Sequence, residues 1–241
     1  MPRKAYVQPC PACGQKRRWN HSSPPWMCPG CGRKLPVAEG RGGLTGRVGA
    51  TLFPEESPDG LVLVGRGLVL VVLAVWGIHF TAMDPATYEI GRSFMHHVNL
   101  TFHEAGHVLF QPFGRFLHVL GGSLFQVLVP LIVAGAFLVR LHPVGVGVGL
   151  WWAGQSLMDV AVYIYDARRM NLPLLTGGTG RDHPGTHDWN NLLSWTGMLA
   201  WDHALARSAH WAGAALMLFG LGWGAVALVR GWKGMKTNEP V

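Results

Sequence analysis

Five stretches of about twenty mostly apolar residues dominate this chain: 61–80, 94–113, 119–140, 144–165 and 208–230. A hydrocarbon layer about 30 Å thick takes an α-helix of about twenty residues to cross. Inside it, every backbone polar group must be satisfied without water, which leaves helices or closed barrels. Runs of this length suit helices. The composition agrees, because 14% charged residues lies far below the roughly 25% of ordinary soluble domains. Eleven Trp and 33 Gly fit the same class, since Trp populates membrane interfaces and Gly permits close helix packing. The expected fold is mainly α, a polytopic transmembrane bundle of about five or six helices over residues 61–230.

The apolar runs differ in what they carry. The first (LVLVGRGLVLVVLAVWGIHF) and the last are apolar enough to face lipid. The second holds His96, His97, Asn99, Thr101, His103, Glu104, His107 and Gln111. Facing lipid, such a helix would pay heavily, so it belongs inside the bundle. The fourth starts Gly-rich and then acquires Gln155, Ser156 and Asp159, which places it inside as well.

Before the first run lies a different kind of segment. Cys10-Pro11-Ala12-Cys13-Gly14 and Cys28-Pro29-Gly30-Cys31-Gly32 are two CxxC knuckles with fourteen residues between them. Each knuckle directs two thiolates to one side, and a pair of knuckles makes a closed four-sulfur site. With Cys10, Cys13, Cys28 and Cys31 all used, no open position remains for chemistry. The expectation is a structural zinc ribbon over residues 1–38, with iron admitted by the same sulfur geometry. Lys16, Arg17 and Arg18 read as a solvated basic loop beside it. Residues 39–60 are rich in Gly and Pro and read as a flexible linker. Residues 231–241 form a tail.

Net charge is +7, and it is uneven. Residues 1–60 carry nine Lys or Arg against four acids, and the remainder is close to balance. Basic flanks are ordinary on the cytoplasmic side of membrane proteins, so the excess does not require nucleic acid. It puts the ribbon in the cytoplasm, with an unidentified cytosolic partner. The second and fourth runs then cross in the same direction, which sets His103, His107 and Asp159 at similar depth and makes 166–207 a cytoplasmic loop. Five spans leave the tail with Arg230, Lys233 and Lys236 outside, against the positive-inside tendency. Residues 189–205 offer a further short or re-entrant helix.

The chemistry is concentrated in His103-Glu104-Ala105-Gly106-His107. On a helix, His103 and His107 stand one turn apart on one face, where both imidazoles reach a single ion. Glu104 sits beside them, where a carboxylate can take a proton from metal-bound water. This HExxH pattern is a signature of zinc-dependent hydrolases. A catalytic zinc takes three protein ligands and leaves one position for water. Asp159 is the expected third ligand. A competing source is the loop RDHPGTHDWNN, where His183, His187 and Asp188 cluster; His187 is its candidate for direct ligation, and His183 and Asp188 are accessory candidates. Asp166 lies next to Ala167-Arg168-Arg169 and reads as a solvated or Arg-paired carboxylate.

These residues resemble the site-2 protease family of intramembrane zinc metalloproteases. That family carries HExxH in one transmembrane helix and an Asp ligand in a later one, within a Leu-Asp-Gly motif. Here the counterparts are His103-Glu104-Ala105-Gly106-His107 and Leu157-Met158-Asp159-Val160. Met158 interrupts the second motif, Val160 stands in place of its Gly, and the Asn-Pro elements usual nearby are absent. Gly121-Gly122-Ser123 is similar to a family segment that lies near the substrate strand. The resemblance covers approximately residues 94–165, so the ribbon and the HDW loop fall outside it. It implies cleavage of a membrane-anchored protein substrate, with Glu104 as the base toward a zinc-activated water. Two other readings stay open. One is a non-enzymatic membrane adaptor that works through the ribbon. The other is a metal transporter with His96, His97, His103, His107 and Asp159 as its path.

Overall fold

The computed structural model describes residues 7–9, 16–18, 43–52 and 59–237, except 176. The chain divides into two compact units, Met1–Arg47 and Val48–Val241. In the first, strands β1 (Val7–Pro9) and β2 (Lys16–Arg18) pair antiparallel, with Val7 opposite Arg18 and Pro9 opposite Lys16. The basic triplet is therefore strand backbone where a loop was expected. Cys10, Cys13, Cys28 and Cys31 lie outside the described residues. Helix α1 (Gly43–Leu52) occupies part of the segment read as a linker.

The second unit is helical. Its long elements are α2 (Gly60–Ala82), α3 (Phe94–Phe110), α4 (Arg115–Val139), α5 (Pro143–Tyr165) and α7 (Asp202–Thr237), with a short α6 (Asp188–Trp195) before the last. Three stretches among the described residues are long and apolar enough to cross a membrane: Gly60–Ala82, Arg115–Val139 and Leu199–Met235. On α2, Leu61, Val64, Leu68, Val71, Val75 and Ile78 are exposed, an outward apolar face that suits lipid. Helix α5 is the axis of the unit, since eighteen of its 23 residues are buried.

Side-chain contacts give the helix directions. Gly60 meets Met235, Gly67 meets Leu228 and Gly77 meets Met217, so α2 and α7 run antiparallel. Gly147 meets Gly220 and Gly154 meets Gly213, which makes α5 and α7 antiparallel with their backbones touching. Small residues at such seams let helices approach closely, which is how packing drives association in an apolar solvent. Helices α4 and α5 are antiparallel too, through Ala134 on Gly149 and Gln126 on Ser156.

Helix α3 departs from this up-and-down pattern. Just before it, Tyr88 bonds Asp166 and Gly91 meets Val162, so α3 starts at the end of the unit where α5 finishes. Its last turn leads into α4, whose first residues Arg115 and Phe116 lie on Trp195 of α6 at that same end. Both ends of α3 thus sit at one end of the unit, and the helix lies across the bundle. It does not run end to end, so the expectation that α3 and α5 run in the same direction is not met. Among the described residues α2, α4, α5 and α7 run from one end of the unit to the other. Residue 60 and the end of α7 come together, with Gly60 3.5 Å from the Met235 sulfur for an added Cβ. The end of α7 therefore lies beside the start of α2. Loop 166–201 lies at the opposite end of the unit from residue 60. Helix α6 and the turn Leu199–Trp201 fill the region read as a short or re-entrant helix.

Candidate metal centre

Helix α3 begins with Ser93, whose side chain accepts from the His96 amide, an ordinary N-cap. The helical spacing then sets His103 and His107 on one face, with ring centroids 4.8 Å apart. Gly106 lies against Gly121 of α4, and an added Cβ at Gly122 would stand 2.6 Å from both Nε2 atoms. Bare backbone at 121 and 122 thus lets α4 close over the two imidazoles. The Gly-Gly-Ser segment is α-helical here and forms a wall of the site.

The hydrogen bonds fix the ring orientations. His103 Nδ1 lies 2.7 Å from Gln126 Oε1, and His107 Nδ1 lies 2.9 Å from the His118 carbonyl. Both partners are acceptors, so each Nδ1 carries the proton. The Gln126 amide is oriented accordingly, since its nitrogen faces Ser156 and Asp159 oxygens. Each Nε2 therefore faces the interior. There the third donor arrives: Asp188 Oδ2 is 3.1 Å from His103 Nε2 and 3.2 Å from His107 Nε2. One ligand atom from each of His103, His107 and Asp188 lies within 4.8 Å of the others. At this spacing either Nε2 protons bridge to the carboxylate or, with those protons displaced, a cation stands among three electron-pair donors. Two imidazoles and a carboxylate suit zinc, and outer partners that hold Nδ1–H groups are the usual support of metal-bound imidazoles.

The HDW segment is built to deliver Asp188. His187 caps α6, its Nδ1 accepting from the Asn190 amide, while its Nε2 lies 3.3 Å from Asp166. The Asp188 amide donates to the Tyr163 hydroxyl, and Trp189 Nε1 donates to Ser123 of α4. Asn190 donates to the Ala167 carbonyl. Asp188 therefore has little freedom of position. Burial works against its charge, and the two imidazoles outweigh that effect and hold its carboxyl down to about 2.

Several expected roles change. Asp159 sits two turns back along α3, where His96 Nδ1 is 2.9 Å away and Asn99 Nδ2 3.3 Å away. It reaches the histidines only indirectly, through Gln126 at 3.4 Å. Steep crossing of α3 over α5 brings the start of α3 to Asp159 and leaves His103 beside Tyr163. His187 has both ring nitrogens engaged elsewhere, so it positions the loop. His183 is an exposed loop residue whose carbonyl accepts from Thr186. His97 Nδ1 donates to the Ser93 carbonyl at the start of its own helix. Asp166 is buried and accepts from Tyr88, the Leu172 amide and His187, contrary to the solvated carboxylate expected. Gln126, Tyr163 and Ser123 escape sequence reading because nothing local marks an apolar-helix residue as a partner of another segment.

The three donors and Glu104 open on a cavity of about 1100 Å³, also lined by His96, Arg115, His118 and Asn191. Glu104 is exposed to it. No protein family, no curated protein and no solved structure compared with the chain matches it.

The Asp166 anchor has a pH signature. Burial disfavours its charged form, and hydrogen bonds from His187, the Leu172 and Asn171 amides and Tyr88 outweigh burial and lower its pKa. A carboxylate lowered on folding stabilises above its unfolded value, near 3.9, and that contribution disappears as pH falls through the lower folded value. Asp166→Asn is therefore expected to destabilise the protein at pH 7 by about 1–3 kcal/mol, seen as a lower thermal midpoint. At acid pH, where the carboxyl of the parent chain takes up its proton, that deficit should shrink. Melting curves in detergent at the two pH values check this, and an equal deficit at both would exclude it.

Proposed function

We propose that this chain is a multi-pass membrane zinc metalloprotease that hydrolyses a peptide bond of a membrane-anchored protein. The observation that carries the reading is the convergence of two imidazole Nε2 atoms and the Asp188 carboxylate beside Glu104 at the wall of a large cavity. His103, His107 and Asp188 would hold the ion. When bound, zinc supplies Lewis-acid polarisation of a carbonyl and lowers the pKa of water. Glu104, one residue from a ligand and open to the cavity, takes the proton from the attacking water and returns it to the departing amine. Gln126 and the His118 carbonyl keep the imidazoles aimed, and Asp159 steadies Gln126. The cavity, about 1100 Å³, has room for a short unwound stretch of substrate backbone. With the basic residues before position 60 on the cytoplasmic side, the cavity faces the opposite side of the bilayer.

The test uses the full chain. With a zinc ribbon as read from the sequence, the parent protein is expected to carry two zinc ions per chain. Asp188→Ala should carry one and lose cleavage of a single-span substrate in liposomes. Asp159→Asn should keep two, with affinity for the second weakened about 10–100-fold, as loss of outer support does. Metal analysis and gel assay read both. Full zinc content in Asp188→Ala would sink the assignment.

A further inference from the structure

The end of the unit opposite the metal centre carries a second cavity, of about 390 Å³, between α2 and the junction of α4 and α5. Val62, Val69, Phe137 and Val148 line it with apolar surface, and two polar side chains join them, Arg66 and His142. Arg66 belongs to α2, inside one of the three stretches apolar enough to cross a membrane. Among the described residues no carboxylate pairs with it. A cation inside a membrane helix is costly and is retained where it has a partner or a task.

Position and chemistry identify the partner. Arg66 lies six residues beyond Gly60, about 9 Å along the axis. Helix α2 has 23 residues, about 35 Å, so it overhangs a 30 Å hydrocarbon layer only slightly at each end. The guanidinium, on its flexible stem, thus reaches the level of lipid phosphates. His142 Nδ1 accepts from the Gly145 amide at 3.0 Å, which leaves the ring proton on Nε2 as a donor. Burial, and then the nearby Arg66 charge, lower the His142 pKa, so Arg66 supplies the positive charge alone.

We propose that this groove binds an anionic phospholipid, with its phosphate on Arg66 and the His142 Nε2–H and an acyl chain along Val62, Val69, Phe137 and Val148. The inference rests on the membrane reading and is independent of proteolysis.

The experiment places the full chain in nanodiscs of phosphatidylcholine with one-tenth phosphatidylglycerol and counts retained lipids by native mass spectrometry. The parent chain is expected to retain phosphatidylglycerol above its share of the disc. Arg66→Gln should reduce that retention about fivefold, the effect of one basic residue near an anionic surface, and Arg66→Lys should restore most of it. Gly65→Leu provides a second route. An added Cβ at Gly65 meets nothing within 4 Å, so the larger side chain fills the groove with Arg66 intact, and retention should again fall. Retention at the disc ratio in the parent chain overturns the proposal. So does undiminished retention in Arg66→Gln or Gly65→Leu, or recovery of a stoichiometric protein in the groove in place of lipid. Zinc content and cleavage play no part in the readout, so failure here leaves the metal-centre reading standing.

Discussion

Glu104→Gln is expected to slow peptide cleavage by about 10²–10⁴-fold, the usual worth of a positioned acid–base group, with zinc content unchanged. The amide has nearly the same size and keeps the carbonyl acceptor, but it accepts no proton at neutral pH. Glu104 is exposed to the cavity and belongs to none of the three donor positions, so its loss should leave the ion in place. The comparison separates the readings that the sequence leaves open. An adaptor is indifferent to the change, and a transporter shows metal flux in liposomes without any proteolysis. Unaltered turnover in Glu104→Gln would remove the proposed base.

Gly122→Ala is the second large effect. The new methyl would stand 2.6 Å from both imidazole Nε2 atoms, in the space that the ion requires. It presses on two α3 side chains and on no backbone, so the fold should survive while the site loses its zinc and all activity. Gly106→Ala makes the contrast, because its methyl would press on the Gly121 backbone and force α3 from α4. Overpacking of that kind costs about 1–3 kcal/mol or more, so this variant should melt earlier. Far-ultraviolet circular dichroism with heating, together with zinc analysis, distinguishes the two. Retention of two zinc ions by Gly122→Ala would show that α4 does not wall the site.

The legible parts of this protein were local. Apolar length marks α2, α4, α5 and α7, and a one-turn spacing marks His103 and His107. The illegible parts were long-range. Nothing in residues 94–113 announces that the helix lies across the bundle, because a polar, interior helix has the same composition whichever way it is tilted. Asp159 looked like a ligand because depth was counted along parallel axes, and the crossing of α3 spoils that count. Asp188 lay in plain view beside His187. The signal available was its place at the first turn of a short helix, where His187 caps the end and Trp189 and Asn190 have partners to bind. Three anchoring side chains, at 187, 189 and 190, flank one carboxylate and fix its place.

The donors come from widely separated stretches, with 85 positions between His103 and Asp188. An ion gripped by both would act as a clasp on that long excursion of chain, lowering the entropy available to its opened forms. The loaded protein should then be stiffer around α6 than elsewhere in the loop, and withdrawal of the metal would release the mouth of the chamber first. Occupancy and access would be two sides of one equilibrium.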